Sequence, residues 1–204
     1  MATLEEINAM YLDVLKEIGN IGAGNATTAI ANMLGLRMDM SVPNVQLIPV
    51  ENIGGTFGSE DEIIVGILLG VEGDIDGSMM FLMDMGSARK IVNHLMMRDM
   101  DDQTEFGEME LSAIREIGNI IAGAYLTALS GLTNLNIMPT VPYVAIDMAA
   151  AILSLPAIQF GMMGDNALMI NTNISDDLGI SGHFLLMPEN DSYEKILRAL
   201  GMPI

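Results

Sequence analysis

The sequence predicts an α+β (α/β layered) fold in which two similar halves share one β-sheet with helices packed on it. The first observation is that Glu17-Ile18-Gly19-Asn20 recurs 99 positions later as Glu116-Ile117-Gly118-Asn119. The second is that an ungapped overlay of 12–45 on 111–144 gives 14 identical positions among 34. A repeat of about half the chain indicates two related halves rather than a solenoid of short units. Each half also shows a helix, about three strand-like runs and a helix, too little to bury its faces alone. We therefore expect one domain built from repeats of about 1–100 and 101–204.

The first half begins with a long predicted helix. Thr3 and Glu6 match a capping box, helical periodicity continues to about Leu34, and Gly35 suits the left-handed turn that ends a helix. The elements predicted next are strands at Val42–Val50, Ile63–Val71 and Ile75–Met83 and a helix at about Ser87–Met97. Two prolines place the first of these strands at a sheet edge, whereas the second is continuously apolar and is expected to be buried.

The second half follows an acidic segment, Asp99–Glu105, and repeats this order. A cap signal near Thr104 predicts a helix that ends at about Ser130, before Gly131. The elements predicted next are strands at Val141–Met148, Ile152–Met163, Ala167–Asn173 and Ile180–Met187 and a helix at about Ser192–Leu200, capped by Asn190 or Asp191 and followed by Gly201.

Composition narrows the range of partners and compartments. The net charge of −19, from 27 acidic and 8 basic residues, repels phosphate backbones, so nucleic acid is not an expected partner. Such a charge favours a partner with a basic surface, or it only keeps an apolar protein in solution. The chain has no cysteine, no signal peptide and no apolar run of about 20 residues. A cytoplasmic protein without membrane insertion is expected.

Each long helix carries a line of polar and small residues on the side opposite its apolar stripe. These positions follow i, i+4, i+7 and i+11, which is one face of a helix. We call each line a polar ridge; the first comprises Asp13, Glu17, Asn20 and Gly24, and the second comprises Ser112, Glu116, Asn119 and Gly123. Glycine inside a helix costs roughly 1 kcal/mol relative to alanine. A glycine on an exposed ridge would let another molecule approach the helix backbone, whereas Gly19 and Gly22 on the apolar side would admit a packed neighbour.

The duplication favours a functional role for the Glu and Asn pairs. A single Glu-x-x-Asn is most simply a solvated stretch of helix. Neighbouring positions expected to be exposed, however, have diverged between the halves, while the Glu and Asn pairs have not. The divergent pairs are Asn25 and Ala124, Ala26 and Tyr125, and Thr27 and Leu126. The other candidates are weaker: His94 and His183 are not at equivalent positions, and Asp74–Gly77 lacks the remaining ligands of a calcium loop.

A carboxylate beside a carboxamide suits one kind of chemistry. The carboxylate can bind a cation such as a partner's lysine, and the carboxamide can hold a water in one orientation but cannot act as a general base. Phosphoryl hydrolysis depends largely on positioning the attacking water and needs little proton abstraction. The sequence offers no phosphate-binding glycine loop of its own. The phosphate and its metal are therefore expected to belong to a partner.

These residues resemble the CheC/CheX/FliY family of phosphatases in bacterial and archaeal chemotaxis. The family pattern is Asp/Ser-x-x-x-Glu-x-x-Asn, followed 23 residues later by proline. It is met by Asp13, Glu17, Asn20 and Pro43, and again by Ser112, Glu116, Asn119 and Pro142. The resemblance covers essentially the whole chain. In its length and in its lack of extra domains, the chain is similar to the CheC branch of the family. The CheX branch has one motif, and the FliY branch has additional domains.

The resemblance implies a phosphatase that acts on the aspartyl phosphate of the response regulator CheY. It implies that Glu17 and Glu116 contact a regulator lysine and that Asn20 and Asn119 orient the attacking water. It also implies that the regulator holds Mg²⁺, that the chain needs no cofactor or metal of its own, and that the deamidase CheD is a second partner. The alternative is a non-catalytic adaptor for CheY or CheD, similar to the flagellar-switch protein FliM. A further possibility is that only one of the two sites is active.

Overall fold

A computed structural model describes residues 4–35, 37–49, 59–160, 166–176 and 180–201. The helices are α1 (Leu4–Leu34), α2 (Met85–Leu95), α3 (Glu108–Thr133), α4 (Ala149–Phe160) and α5 (Asn190–Ala199). The strands are β1 (Met38–Pro49), β2 (Ile63–Gly73), β3 (Gly77–Asp84), β4 (Ile137–Pro139), β5 (Tyr143–Met148), β6 (Asn166–Asp176) and β7 (Ser181–Pro188). The α+β class is confirmed.

The seven strands of the described residues form one antiparallel sheet. Its order is β1-β6-β7-β3-β2-β4, and β5 also pairs with β2. The strands of the two halves correspond in pairs: β1 corresponds to β4 and β5, β2 to β6, and β3 to β7. Counted inward from either edge, the sheet therefore shows equivalent strands in the same order. At the centre Met80 pairs with Leu185, and these two residues are equivalent in the alignment of Gly77 with Gly182. The prediction of one shared sheet with pseudo-twofold symmetry is confirmed.

Both faces of the sheet are buried in its centre. Along β2 the side chains alternate, as strand geometry requires. Val65, Ile67 and Leu69 join the larger core, which includes residues of α1, α2, α3 and α5. Ile64 and Leu68 join a smaller core against α4 on the opposite face. The continuous apolar run predicted for a buried strand is thereby explained, and the two long helices are fixed on one face.

One predicted strand is wrong, because most of Ile152–Met163 forms α4 instead. The last three residues of that prediction lie outside the described part of the chain. Ser154 and Gln159 are the only polar residues of α4, too few to reveal its period, and periodicity alone cannot distinguish a short buried helix from a strand. Its buried residues Ala149, Ile152 and Leu153 follow the i, i+3, i+4 spacing of a helix.

Strand and helix starts also differ from the prediction. β1 starts at Met38 rather than Val42 and has a register shift between Ser41 and Asn44, and the short strand β4 was not predicted. The N-cap of α2 is Asp84, whose carboxylate accepts a 2.8 Å hydrogen bond from the Ser87 N–H. The N-caps of α3 and α5 are Gly107 and Glu189 rather than the residues named from sequence. Several polar residues near each start could serve as caps, and tertiary contacts select among them.

The observed end of the long helix agrees with the sequence prediction more closely in the first half than in the second. Gly35 follows α1 with a φ of 66°, as predicted, and the capping position Thr3 lies outside the described residues. The equivalent of Gly35 is Asn134, which has a φ of 58° and ends α3 about one turn later than expected. Asparagine tolerates the left-handed conformation, so the two long helices end in the same way at equivalent positions.

The first turn of α3 is held by Glu110. Its carboxylate accepts a 2.9 Å hydrogen bond from the Gly107 N–H and forms an ion pair with Arg98. The residue is nearly buried, at 6 % exposure. Its own backbone N–H, the Arg98 guanidinium and the Gly107 N–H together lower the pKa of Glu110 below the usual 4.5. The charged form therefore stabilises the folded state at neutral pH.

We expect Glu110→Gln to lower the melting temperature at pH 7 and to have progressively less effect in acid. Because the pKa is lower in the folded state, the stabilisation is complete above the unfolded-state pKa and disappears as pH falls through the folded-state value. Thermal melts of both proteins between pH 7 and pH 3 would measure the difference. Glu108→Gln is the control, since it removes an equal charge from the same turn at an exposed position. A difference that stays constant with pH would contradict this account.

Candidate functional site

The first polar ridge runs along the outer side of α1. Asp13, Glu17, Asn20 and Gly24 are all exposed, as the helical spacing predicts. On the opposite side of the same helix, buried residues such as Ile18 pack in the larger core. Pro43 lies in β1 within the register shift, but its side chain is outside the described part of the structure.

The second polar ridge has the same disposition on α3. Ser112, Glu116 and Asn119 are exposed and Gly123 is half-buried. Beneath them, the isoleucines that hold α3 to the core are about 1 % exposed: Ile114, Ile117 and Ile121. The sequence pattern thus places both ridges on solvent-facing helix surfaces. The expectation that their divergent neighbours are all exposed is wrong, because Ala26, Tyr125 and Leu126 are buried in the core.

A groove of about 570 Å³ lies between the second polar ridge and the connection from β4 to β5. Its walls include Ser112, Arg115, Glu116 and Asn119 from α3, Thr140, Val141 and Pro142 from the connection, and the apolar side chains Met96 and Met109. Pro142, which follows Asn119 by 23 residues in sequence, therefore lines the same groove as three of the four ridge residues. Gly123 lines no part of this groove.

Strand β2 supports both walls of the groove. Thr140 is attached to it twice: the Thr140 N–H donates to the Gly70 carbonyl at 2.9 Å, and the Thr140 hydroxyl accepts from the Gly70 N–H at 2.8 Å. On the other wall, a Cβ at Gly118 would collide with the Ile67 side chain, so α3 lies close against the same strand. Both walls of the groove are therefore anchored to the same buried strand, the connection by hydrogen bonds and α3 by close packing.

The glycines of α1 and α3 fall into two kinds. A Cβ at Gly22 would lie 2.6 Å from Tyr125 Cδ1 and 3.0 Å from its Cα, so this glycine allows α1 and α3 to pack closely. A Cβ at Gly24 or Gly123 would meet nothing within 4 Å. The packing role predicted for Gly22 is confirmed, and the two ridge glycines have no packing requirement of this kind.

The motif glutamates and asparagines of both ridges are exposed to solvent and have no side-chain partner among the described residues. Within the described residues, neither Glu17 nor Glu116 forms an ion pair, and neither Asn20 nor Asn119 forms a side-chain hydrogen bond. A carboxylate and a carboxamide that are exposed and unpaired are free to bind groups on another molecule. Their arrangement suits recognition of a cation together with orientation of a water.

Sequence reasoning missed several groove residues. Thr140, Val141 and Met109 were not identified, although Val141 repeats Val42 and Met109 occupies the position equivalent to Met10. Arg115 was also missed, and its equivalent in the first half is another base, Lys16. These residues could have been identified from the sequence by asking which positions near the motif carry similar residue types in both halves of the repeat.

Across the described residues, no group of three or more His, Asp or Glu side chains is arranged to hold a metal ion. Over the same part of the chain, no helix combines the length and the apolar character that crossing a membrane requires.

The fold recurs in solved structures of flagellar proteins. Thermotoga maritima FliY matches with a TM-score of 0.75 and 24% identity over 98% of each chain. The middle domain of FliM from H. pylori matches with a TM-score of 0.65 and 12% identity, over 97% of this chain and 99% of that one. At these identities the matches establish a common architecture.

Sequence comparison identifies the family. The model of the CheC-like family matches residues 10–47, which contain the first ridge and Pro43, and that of chemotaxis phosphatase CheX matches residues 65–160, which contain the second ridge and Pro142. The chain is also 37% identical to the CheY-P phosphatase CheC of Bacillus subtilis (strain 168) over 206 residues, which is 98% of this chain and 99% of that protein. The chain therefore belongs to the CheC-like family of chemotaxis phosphatases.

Proposed function

We propose that this chain removes the phosphoryl group from the aspartyl phosphate of a CheY-type response regulator, at two sites centred on the polar ridges. The observation that carries the proposal is the groove in which Ser112, Glu116, Asn119 and Pro142 meet. The 37% identity to a CheY-P phosphatase over nearly the whole chain supports the same substrate. The duplicated motif and the exposure of Glu17 and Asn20 support a second, equivalent site on α1.

In this mechanism the chain supplies binding and orientation. The carboxylates of Glu17 and Glu116 would each bind a regulator lysine. The carboxamides of Asn20 and Asn119 would enter the regulator's phosphorylation site and hold a water in line with the bond to be broken. A bond then forms between the water oxygen and phosphorus, and the bond from phosphorus to the aspartate oxygen breaks. The aspartate leaves as a carboxylate, and the water proton passes to the released phosphate.

The metal in this proposal belongs to the regulator. Carboxylates of the regulator and the phosphoryl oxygens would hold Mg²⁺ there, and the ion would supply neutralisation of the charge that develops during transfer. The chain needs only to complete the site with Glu and Asn, so no cofactor of its own is required. Neither Asn20 nor Asn119 removes a proton, because a carboxamide is not basic at neutral pH.

The surroundings of the second ridge suit a protein partner. Val141 is 84% exposed and Met109 is 67% exposed, and both side chains line the groove. Exposed apolar side chains beside a polar centre are typical of protein interaction surfaces. A small phosphorylated metabolite would gain little from this apolar rim, whereas the surface of a folded regulator could cover it.

The alternative is an adaptor that binds CheY or CheD without hydrolysing phosphate. The FliM middle domain has the same architecture, and FliM is the flagellar-switch protein to which the adaptor alternative refers. CheD remains a proposed second partner on the basis of the family resemblance, and a cytoplasmic location remains a prediction. The intact Glu and Asn pairs on both ridges favour the enzyme over the adaptor.

The test is the decay of phosphate from a radiolabelled cognate CheY in the presence of Mg²⁺. The enzyme proposal predicts that catalytic amounts of this chain accelerate decay and turn over many regulator molecules. Binding that depends on phosphorylation but leaves the rate of decay unchanged would establish the adaptor instead. Unphosphorylated regulator serves as the control for binding.

A further inference from the structure

Each polar ridge is accompanied by one basic residue. Lys16 and Arg115 occupy equivalent positions, each immediately before the motif glutamate and four residues before the motif asparagine. Residues four apart are neighbours on a helix surface, so each base lies beside the asparagine rather than on the far side of the helix. Both bases are exposed, and Arg115 lines the groove together with Asn119.

Basic residues are scarce in this chain, and several of the 8 have internal partners. Arg98 pairs with Glu110, and Arg198 pairs with Glu194. The Lys195 ammonium donates to the Asp74 carbonyl, and the Arg89 guanidinium donates to the Thr104 carbonyl and lies 5.3 Å from the centre of the Phe106 ring. Within the described residues, neither Lys16 nor Arg115 has an ion pair or a hydrogen bond of this kind.

An unpaired base beside each asparagine would reduce the electrostatic repulsion between this acidic chain and an anionic phosphorylation site. The chain carries a net charge of −19, and the phosphorylation site it must approach contains phosphoryl oxygens and the carboxylates that bind Mg²⁺. Two strongly acidic surfaces repel each other, which slows their association. At physiological salt, interactions between charges decay over about 8 Å, so the charges nearest the point of contact dominate the local potential. A base at that point therefore makes the local potential positive, although the chain as a whole is acidic.

We propose that Lys16 and Arg115 contact anionic oxygens at the regulator's phosphorylation site and thereby govern recognition of the phosphorylated regulator. This inference rests on the proposed phosphatase function. The oxygens belong either to the phosphoryl group or to the surrounding carboxylates, and both sources present the same chemistry to a lysine or arginine side chain. The bases act in docking, so their contribution is to binding rather than to the chemical step.

The test compares Lys16→Gln/Arg115→Gln with the wild type in steady-state hydrolysis of phosphorylated CheY. We expect KM to rise roughly tenfold with kcat unchanged within about twofold, and the salt dependence of kcat/KM to become weaker. Lys16→Arg/Arg115→Lys retains both charges and is expected to restore most of the affinity. Lys195→Gln/Arg198→Gln changes the net charge by the same amount on α5, and it is expected to leave KM near the wild-type value.

Binding measurements separate the two sources of the oxygens. If the double variant loses affinity only for regulator carrying the phosphoryl analogue beryllium fluoride, the bases contact the phosphoryl group. If it loses affinity for both forms, they contact the carboxylates. Either result supports the inference, whereas unchanged binding and KM would overturn it, as would a loss confined to kcat.

The same assay distinguishes failure of this inference from failure of the proposed function. Should Asn20→Ala/Asn119→Ala abolish hydrolysis while the variant lacking both bases behaves as wild type, only the role of the bases is wrong. Should the double asparagine variant remain fully active, the ridges are not catalytic and the proposed function itself is wrong.

Discussion

Asn20→Ala/Asn119→Ala is expected to lower the rate of CheY-P hydrolysis by at least about 10²-fold, the usual consequence of removing a group that orients or stabilises the reacting atoms. Each single variant is expected to retain activity, because the other ridge still presents an intact pair. If the sites are equal, each single variant keeps about half of the wild-type rate. The rate at which radiolabelled phosphate is lost from the regulator is measured with the wild type, with each single variant and with the double variant.

A loss of activity in these variants can be interpreted because folding should not suffer. Both asparagines are exposed, and neither has a side-chain hydrogen bond within the described structure. Alanine is also the better helix former, so the melting temperature should stay the same or rise slightly. Asn25→Ala is a matched control, since it changes an exposed asparagine of α1 that lies off the ridge.

Two outcomes would contradict the prediction. A double variant that accelerates decay as the wild type does would show that the paired motifs are not catalytic. A single variant that loses all activity would show that only one ridge hydrolyses phosphate, which is the third possibility left open by the sequence. The double variant should still bind phosphorylated regulator, because Glu17 and Glu116 remain.

The sequence predicted the ridges well because they depend on local geometry. Positions four, three and four apart lie on one side of any straight α-helix, whatever the rest of the chain does. The same reasoning identified Gly22 as a packing position before Tyr125 was known to be its neighbour. The repeat then transferred each assignment from Asn20 to Asn119 and from Gly24 to Gly123.

The groove could not be predicted, because it depends on pairings that are distant in sequence. Thr140 is placed by Gly70, which lies 70 residues earlier, and nothing near Thr140 indicates that contact. The short strand β4 exists for the same reason, since it pairs with the end of β2. In α4 the local signal is weak, because a short segment with only two polar residues, Ser154 and Gln159, does not show whether its period is that of a helix or of a strand.

Gly22→Ala and Gly24→Ala are expected to change stability in opposite directions, although the residues are only two positions apart in α1. At Gly22 the new methyl group would lie 2.6 Å from Tyr125 Cδ1 and close to the Tyr125 backbone, so α1 and α3 must separate. Overpacking of this kind costs about 1–3 kcal/mol. At Gly24 the methyl group meets nothing within 4 Å, and replacing glycine inside a helix gains about 1 kcal/mol. Thermal or denaturant unfolding of the two variants measures the difference.

Gly24→Ala is also expected to change activity. The glycine lowers helix stability and has no packing role that explains its presence, so a functional role is expected. If the glycine lets the regulator approach the backbone of α1, Gly24→Ala should raise the melting temperature and yet weaken hydrolysis at the first site. The measurement is best made in an Asn119→Ala background, where only the first ridge keeps its motif asparagine. There we expect a severalfold fall in kcat/KM, since the added methyl group holds the regulator away from Glu17 and Asn20. A more stable variant with full activity would show that the regulator does not contact this part of the ridge.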